Sequence, residues 1–136
     1  MAFVHGKDSV FKLDNSGGTL TDISSYVNNV DFPETADVAE TTVLGKDNKT
    51  YIVGLKDATI SLGGLWDSTA DGIFGAVLGQ SATLSFEYSP EGTGSGAVKY
   101  TGECILTNYA ISSPVGDVVA YSADLQVSDA VTRATH

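Results

Sequence analysis

The sequence predicts a mainly β fold: an antiparallel β-sandwich or partly open barrel with one short flanking helix and one long hairpin arm. Three observations predict it. Apolar and polar residues alternate at a period of two in several separate stretches, the pattern of half-buried strands. Turn-forming clusters such as Asn15-Ser-Gly-Gly18, Gly45-Lys-Asp-Asn-Lys49 and Pro114-Val-Gly-Asp117 interrupt those stretches at short intervals. One stretch alone changes to the helical period. The 136 residues fit a single domain, 1–136, long enough to bury a core without disulfides or metals.

Ser9–Leu13 is a short strand candidate around Val10 and Phe11. Beyond the turn at Asn15–Gly18, Asp22–Tyr26 reads as a tight turn and Val27–Phe32 as a strand. Pro33 breaks that strand or confines it to an edge, because proline has no N–H for the ladder. Pro33–Lys56 is the arm. Val38–Leu44 and Thr50–Val53 are β-prone, Gly45–Lys49 joins them, and Gly54 closes the unit. The arm is poor in large core residues and only weakly amphipathic, and a lone two-stranded hairpin is marginal in water. It is either a surface flap, the simpler reading of these residues, or a piece that another chain holds.

Asp57–Ser89 organises the chain as strand, helix, strand. Ala58, Ile60 and Leu62 alternate with Thr59, Ser61 and Gly63, and Ala82, Leu84, Phe86 and Tyr88 alternate with Thr83, Ser85 and Glu87. Between them Ile73, Phe74, Val77 and Leu78 form the apolar stripe of a helix over about residues 68–78. That stripe is expected to dock on the apolar face of the two flanking strands. Ser68 is the expected N-cap, and Asp71 suits the positive end of the helix. Gly79 is placed to end the helix in the left-handed conformation. Gly72 and Gly75 each cost about 1 kcal/mol relative to alanine, so the helix is stable only when docked.

Ser89–Ala97 is a glycine-rich hairpin tip. Val98–Ser112 is a long β segment with apolar residues on both parities: Tyr100, Cys104 and Leu106 on one, Ile105, Tyr109 and Ile111 on the other. A bulge or change of buried face near Gly102–Leu106 reconciles them. Val119, Tyr121, Ala123, Leu125 and Val127 mark the last strand, and Val131–His136 is expected to be a loose tail. The total is seven or eight strands.

The formal net charge is −10 and the isoelectric point about 4.2. Binding to nucleic-acid backbones needs clustered Lys and Arg, so this balance argues against it. It is compatible with solubility, and with an acidic wall along which DNA slides. Cys104 is the single cysteine, expected as a small buried apolar residue. The first residues show no secretory signal, and no apolar run approaches the ~20 residues of a membrane helix. The expected site of synthesis and folding is a cytoplasm.

Catalytic patterns are missing. The two histidines, His5 and His136, lie near the ends, where neither a nucleophilic triad nor a structural zinc site is easily built. Asp14-Asn-Ser-Gly lacks the spacing and closing Glu of a calcium loop. Leu44-Gly-Lys-Asp47 lacks the first glycine and the metal-binding hydroxyl of a phosphate loop. Gly92, Gly94 and Gly96 precede a strand, so no helix N-terminus awaits a pyrophosphate. Asn48-Lys-Thr50 matches a glycosylation acceptor that has no consequence without a signal peptide. Glu87 and Glu103 read as solvated strand carboxylates. Tyr88, Tyr100, Tyr109 and Tyr121 would form a sugar-stacking face if exposed, but at strand spacing they read as core or cross-strand partners. No cofactor, metal or enzymatic activity is expected.

The order of Asp22-Ile-Ser-Ser-Tyr-Val27, Ala39-Glu-Thr-Thr42, Gly54-Leu-Lys-Asp57 and Ile60-Ser-Leu-Gly-Gly-Leu-Trp-Asp67 resembles the tail tube (major tail) proteins of long-tailed bacteriophages. The resemblance continues through the short helix, Tyr88-Ser-Pro-Glu-Gly92 and the strands from Tyr100 to Val127, and covers about residues 20–132. It implies a structural virion protein whose subunits form rings, usually hexamers, stacked into a hollow tube for DNA. It implies a negative lumen and DNA passage without specific binding. It also implies partners among the other tail proteins, such as tape measure and terminator, with assembly in the host cytoplasm and no membrane role. The arm would reach between subunits or rings, with Val38, Glu40, Thr42, Leu44, Lys46, Tyr51 and Val53 as its interface residues. Open strand edges that pair with a neighbour would extend the sheet around a ring. Other readings are a capsid decoration protein, a tail completion or terminator protein, a carbohydrate-binding sandwich and, weakest, a hydrolase using Glu87 and Glu103.

Overall fold

In the computed structural model, which describes residues 3–136, eight strands form one antiparallel sheet. They are β1 (Val10–Asp14), β2 (Leu20–Asp22), β3 (Asn29–Asp31), β4 (Glu34–Glu40), β5 (Tyr51–Leu65), β6 (Leu84–Ser89), β7 (Val98–Ser112) and β8 (Ala120–Thr135). Their order is β2-β1-β6-β7-β8-β5-β3, with β4 also paired to β5. The sheet does not close, which matches the partly open form. It does curl. Phe32, at the β3–β4 junction on one edge, packs 5.8 Å from Phe86 and 5.9 Å from Tyr88 on β6, and 5.8 Å from Tyr100 on β7. Strands lie ~4.8 Å apart, so a flat sheet would hold that edge well away from β6.

The inner face of the curl is the core. Phe11 and Leu13 (β1), Leu84 and Phe86 (β6), Cys104 and Leu106 (β7) are buried there. So are Tyr121, Ala123 and Leu125 (β8) and Ala58, Ile60 and Leu62 (β5). The alternate residues, such as Ser85, Glu87, Ser122, Asp124 and Ser61, sit on the outer, polar face.

The helix α1 spans Ser68–Val77. Its N-cap is Asp67 rather than Ser68: the Asp67 carboxylate accepts from the Thr69 N–H at 2.7 Å. Gly79 has φ +74°, as its position after the helix requires. Docking differs from the expectation. α1 packs on β7, and Phe74 stacks 5.4 Å from Tyr109 and lies tilted 5.2 Å from Tyr121 of β8, so it docks not chiefly on the flanking strands. Topology is the reason. β7 and β8 lie between β5 and β6, so the connection from β5 to β6 must cross them.

β5 is one uninterrupted strand in which Gly54 is not an end. Asn29–Asp31 and Glu34–Ala36 pair with Gly63–Ser61 and Ala58–Lys56 in one register, and Thr59 N–H donates to the Pro33 carbonyl between them at 3.2 Å. β3 and β4 therefore form a single edge ribbon with Pro33 inside it. The register shifts by one between Ala36 and Val38, where β5 carries an extra residue at Gly54–Leu55. A Cβ at Gly54 would press at 3.3 Å on Asp37, so glycine marks a bulge there rather than a stop.

β7 also changes phase. Its pairing with β8 shifts between Thr101 and Glu103 and again between Leu106 and Asn108. The second shift is a bulge at Thr107, which carries the inner face from Cys104 and Leu106 to Tyr109 and so explains the second apolar parity beyond it; Ile105, ahead of the bulge and opposite Gln126, is on the other face. At the first shift β8 carries the surplus, Asp129–Val131 facing Gly102, and Asp129 has φ +75°.

The C-terminal residues are not a loose tail. β8 continues to Thr135, paired with Val98–Thr101, and His136 exchanges backbone hydrogen bonds of 2.9 Å with Gly96 and Ala97. The His136 Nε2 lies 2.9 Å from the buried Ser89 hydroxyl.

One contact fixes the end of the sheet nearest α1. Tyr121 donates its hydroxyl proton to the Tyr26 carbonyl at 2.7 Å. A side chain at Gly64 would overlap that same carbonyl, so the close approach requires glycine. Burial pushes the Tyr121 phenol up to about 12, helped by neighbouring Tyr109. Burial first, then the hydrogen bond and charge of Asp71, pushes Tyr109 up to about 12. Unfolded tyrosines ionise near pH ~10. Between those values the folded state holds more protons than the unfolded one, so stability falls as pH rises from ~10 and this contribution is gone above the folded values. In a tyrosinate-absorbance titration, two of the six tyrosines are expected to ionise last, together with cooperative alkaline unfolding. Early titration of all six without unfolding would contradict this packing.

Candidate subunit interface

The arm is the distal part of the β3/β4–β5 ribbon. Every residue of β4 and Tyr51–Asp57 of β5 is exposed, on both faces. Within it Val38 faces Val53 and Glu40 faces Tyr51, so these four expected residues form two cross-strand pairs on one face. Beyond them Thr41 and Thr50 join through a backbone bond of 2.7 Å and their hydroxyls at 2.9 Å. The Thr42 hydroxyl accepts from the Thr50 N–H at 2.9 Å. Leu44 and Lys46 flank Gly45 in the tip, and Leu44 is fully exposed. Lys49 reaches Glu40 at 3.9 Å, an exposed pair worth little.

Val43, Ile52 and Leu55 are exposed apolar residues of the same ribbon that alternation misses. Period-two reasoning selects one parity, whereas a ribbon bare on both faces presents both. At its root the ribbon borders an open groove of about 820 Å³, flanked by Thr35, Leu55 and Val131.

On the helix, Phe74 and Val77 are buried, Ile73 is half-buried, and Leu78 is 46% exposed. Leu78 is the C-cap residue and turns away from the stripe. Ala70, buried at 1%, takes a place on the docked face instead.

Glu87 is paired with Lys12 and Lys99 at 3.5 Å each. Glu103 accepts from the Ser85 and Thr83 hydroxyls at 2.6 and 3.0 Å. Tyr88 and Tyr100 pack with Phe32, and Tyr109 and Tyr121 with Phe74. They are inner-face residues, not an exposed stacking platform. Cys104 is fully buried and its thiol is pushed up to about 12, by burial first and then by the Glu103 and Asp14 charges. Asn15 accepts from the Gly17 and Thr19 N–H groups, which makes its loop a turn. Among the described residues no group of three or more His, Cys, Asp and Glu side chains could hold a metal ion. No helix of the described residues is long and apolar enough to cross a membrane.

What remains distinctive is the bare, apolar ribbon on an unclosed sheet. Residues 3–133 match the phage tail tube protein family. The chain belongs to that family. Its fold is that of a chain in the virion of a native gene transfer agent particle, with TM-score 0.81 and 17% identity over 98% of this chain and 100% of the other. A chain in the tail of an empty gene transfer agent particle, refined with C6 symmetry, gives TM-score 0.77 and 17% identity over 98% and 100%. A chain of the SPP1 tail tube gives 0.78 and 11% identity over 98% and 80%. A search of curated proteins gave no match. This tail tube protein is thus a bacteriophage virion structural protein by family, and the family assigns it a tube-forming role rather than a catalytic one.

Proposed function

We propose that this tail tube protein assembles, as a single-domain subunit, into six-membered rings that stack into a hollow tube, and that the arm is completed by a neighbouring subunit. The observation that carries the reading is the arm itself. In a chain of this family, a hairpin with Val38, Tyr51, Ile52, Val53 and Leu55 all exposed has no partner among the described residues of its own molecule. Exposed apolar surface of this kind marks an interaction site. The six-fold symmetry follows the C6 tail of the structurally similar chain. Unpaired ribbon and sheet edges supply the means, since a head-to-tail contact that closes makes a ring and rings that stack make a tube.

The role of the tube is passage of DNA without specific binding, for which a net charge of −10 suits the wall. Tape measure and terminator proteins are the expected partners. Assembly takes place in the host cytoplasm and the product is the virion tail. Negative-stain electron microscopy of the purified protein, free, in concentrated salt and with preformed tube fragments as seeds, tests this. Six-fold rings or tubes are expected. Single particles under all three conditions, or trimers, would overturn it.

A further inference from the structure

A second exposed apolar surface lies at the opposite end of β5 from the arm. There Leu65 of β5 pairs with Ala120 of β8, which pairs with Ser112 of β7, and Trp66 N–H donates to the Val119 carbonyl at 2.9 Å. This end carries Leu65, Trp66, Ile111, Val115 and Val118, all exposed, with Val115 wholly so. The loop Ser113–Val119 holds two of them at its tip with none of the described residues over them. The charge around the patch has one sign. Residues 65–71 and 111–119 contain Asp67, Asp71 and Asp117 and no Lys or Arg.

The arm tip has the opposite character. Residues 41–50 hold Val43 and Leu44, both exposed, with Lys46 and Lys49 against the single carboxylate Asp47. Lys46 makes no ion pair among the described residues, and Lys49 only the loose one to Glu40 at 3.9 Å. The tip is thus apolar with a cationic rim, and the far patch apolar with an anionic rim.

The two cannot meet within one molecule. They stand at opposite ends of one 15-residue strand, roughly 45–50 Å apart at ~3.3 Å per residue, and the Thr41–Thr50 pairing carries the tip further still. We infer that the Leu65–Trp66–Val115–Val118 patch receives the arm tip of a second copy of this chain, Leu44 and Val43 on the apolar centre and Lys46 facing Asp117. The contact is head to tail: each copy offers the arm at one end and the acceptor at the other, so the geometry propagates instead of stopping at a dimer. The inference rests on the tube-forming reading and names the acceptor that the reading leaves open.

Cysteine cross-linking tests it, because the native Cys104 is buried and silent. Leu44→Cys/Val115→Cys and Leu44→Cys/Val118→Cys are assembled and mildly oxidised, with each single variant as control. All three positions are exposed, so folding is not at stake. A covalent ladder of many copies is expected from at least one double variant in the tube fraction, with monomer only from the single variants. Tubes without a ladder from either double variant would overturn the acceptor and leave the tube intact. Absence of tubes from the unmodified protein, seeded and in salt, would overturn the tube-forming reading and the acceptor with it.

Discussion

Deleting Asp37–Thr50 is expected to abolish tubes completely while leaving a folded monomer. The two halves of that expectation have separate physical grounds. Nothing in the deleted segment belongs to the core: every residue of it is exposed, and its hydrogen bonds are made within the ribbon. The cut also lands well in the register. Ala36 pairs with Lys56, so removing 37–50 leaves Tyr51–Leu55 as a short connection between residues that already face each other, within the range natural hairpins use. The bulge at Gly54 disappears together with the Asp37 it accommodates. Stability should change by no more than ~1 kcal/mol, a Tm shift of ~4 °C or less for a domain of this size.

Assembly, by contrast, should lose the surface for which the monomer has no use. Sedimentation or gel filtration would show a monomer with an unchanged cooperative melt, and electron microscopy would show no tubes. Tubes of normal length from this deletion would refute the arm's role. A deletion that fails to fold would refute the claim that the ribbon is independent of the core.

The strands with one buried face were legible in the sequence because burial imposes the period. Ile60 and Leu62 on β5, and Tyr121, Ala123 and Leu125 on β8, alternate as a half-buried strand must, and all are buried. The phase change on β7 was legible too, since two apolar parities in one strand require a bulge, and Thr107 supplies it.

What escaped the sequence shares one cause: it depends on what lies opposite, not on the segment itself. Thr132–Thr135 carry no large apolar residue to mark a period, and only their pairing with Val98–Thr101 shows them as strand, so a paired strand end looks like a tail. Gly54 has the composition of a stop, and only Asp37 across the ribbon makes it a bulge. The helix was recognisable from its stripe, but its docking surface follows from strand order, which no local pattern contains. The arm was legible as an anomaly, a β-prone ribbon without core residues. The patch at Val115 and Val118 was not, because it is assembled from the ends of three strands.

Phe74→Ala carries the largest expected cost in stability, about 3–5 kcal/mol. Phe74 is fully buried and packs on both Tyr109 and Tyr121, so truncation removes a large apolar group and leaves a cavity between the helix and two central strands. Ala70 and Val77 are also buried on the docked face, but Phe74 is the largest of the three. Gly72 and Gly75 weaken it internally, and its main polar ties are Asp71 accepting from the Tyr109 hydroxyl at 2.9 Å and the Asp67 cap. Set against a total of ~5–15 kcal/mol for a typical protein, the loss brings the chain close to unfolding. The urea midpoint should fall steeply, with the near-ultraviolet signal of the stacked tyrosines lost alongside it.

Leu78→Ala is the control. Leu78 belongs to the same apparent stripe in sequence but is exposed in the fold, so its truncation should cost less than ~0.5 kcal/mol. The comparison separates two accounts of the helix. If the four-residue stripe docks as a unit, both substitutions are expensive. If the helix is pinned through Phe74 onto β7 and β8, only the first is. Equal costs at the two positions would overturn the docking described here.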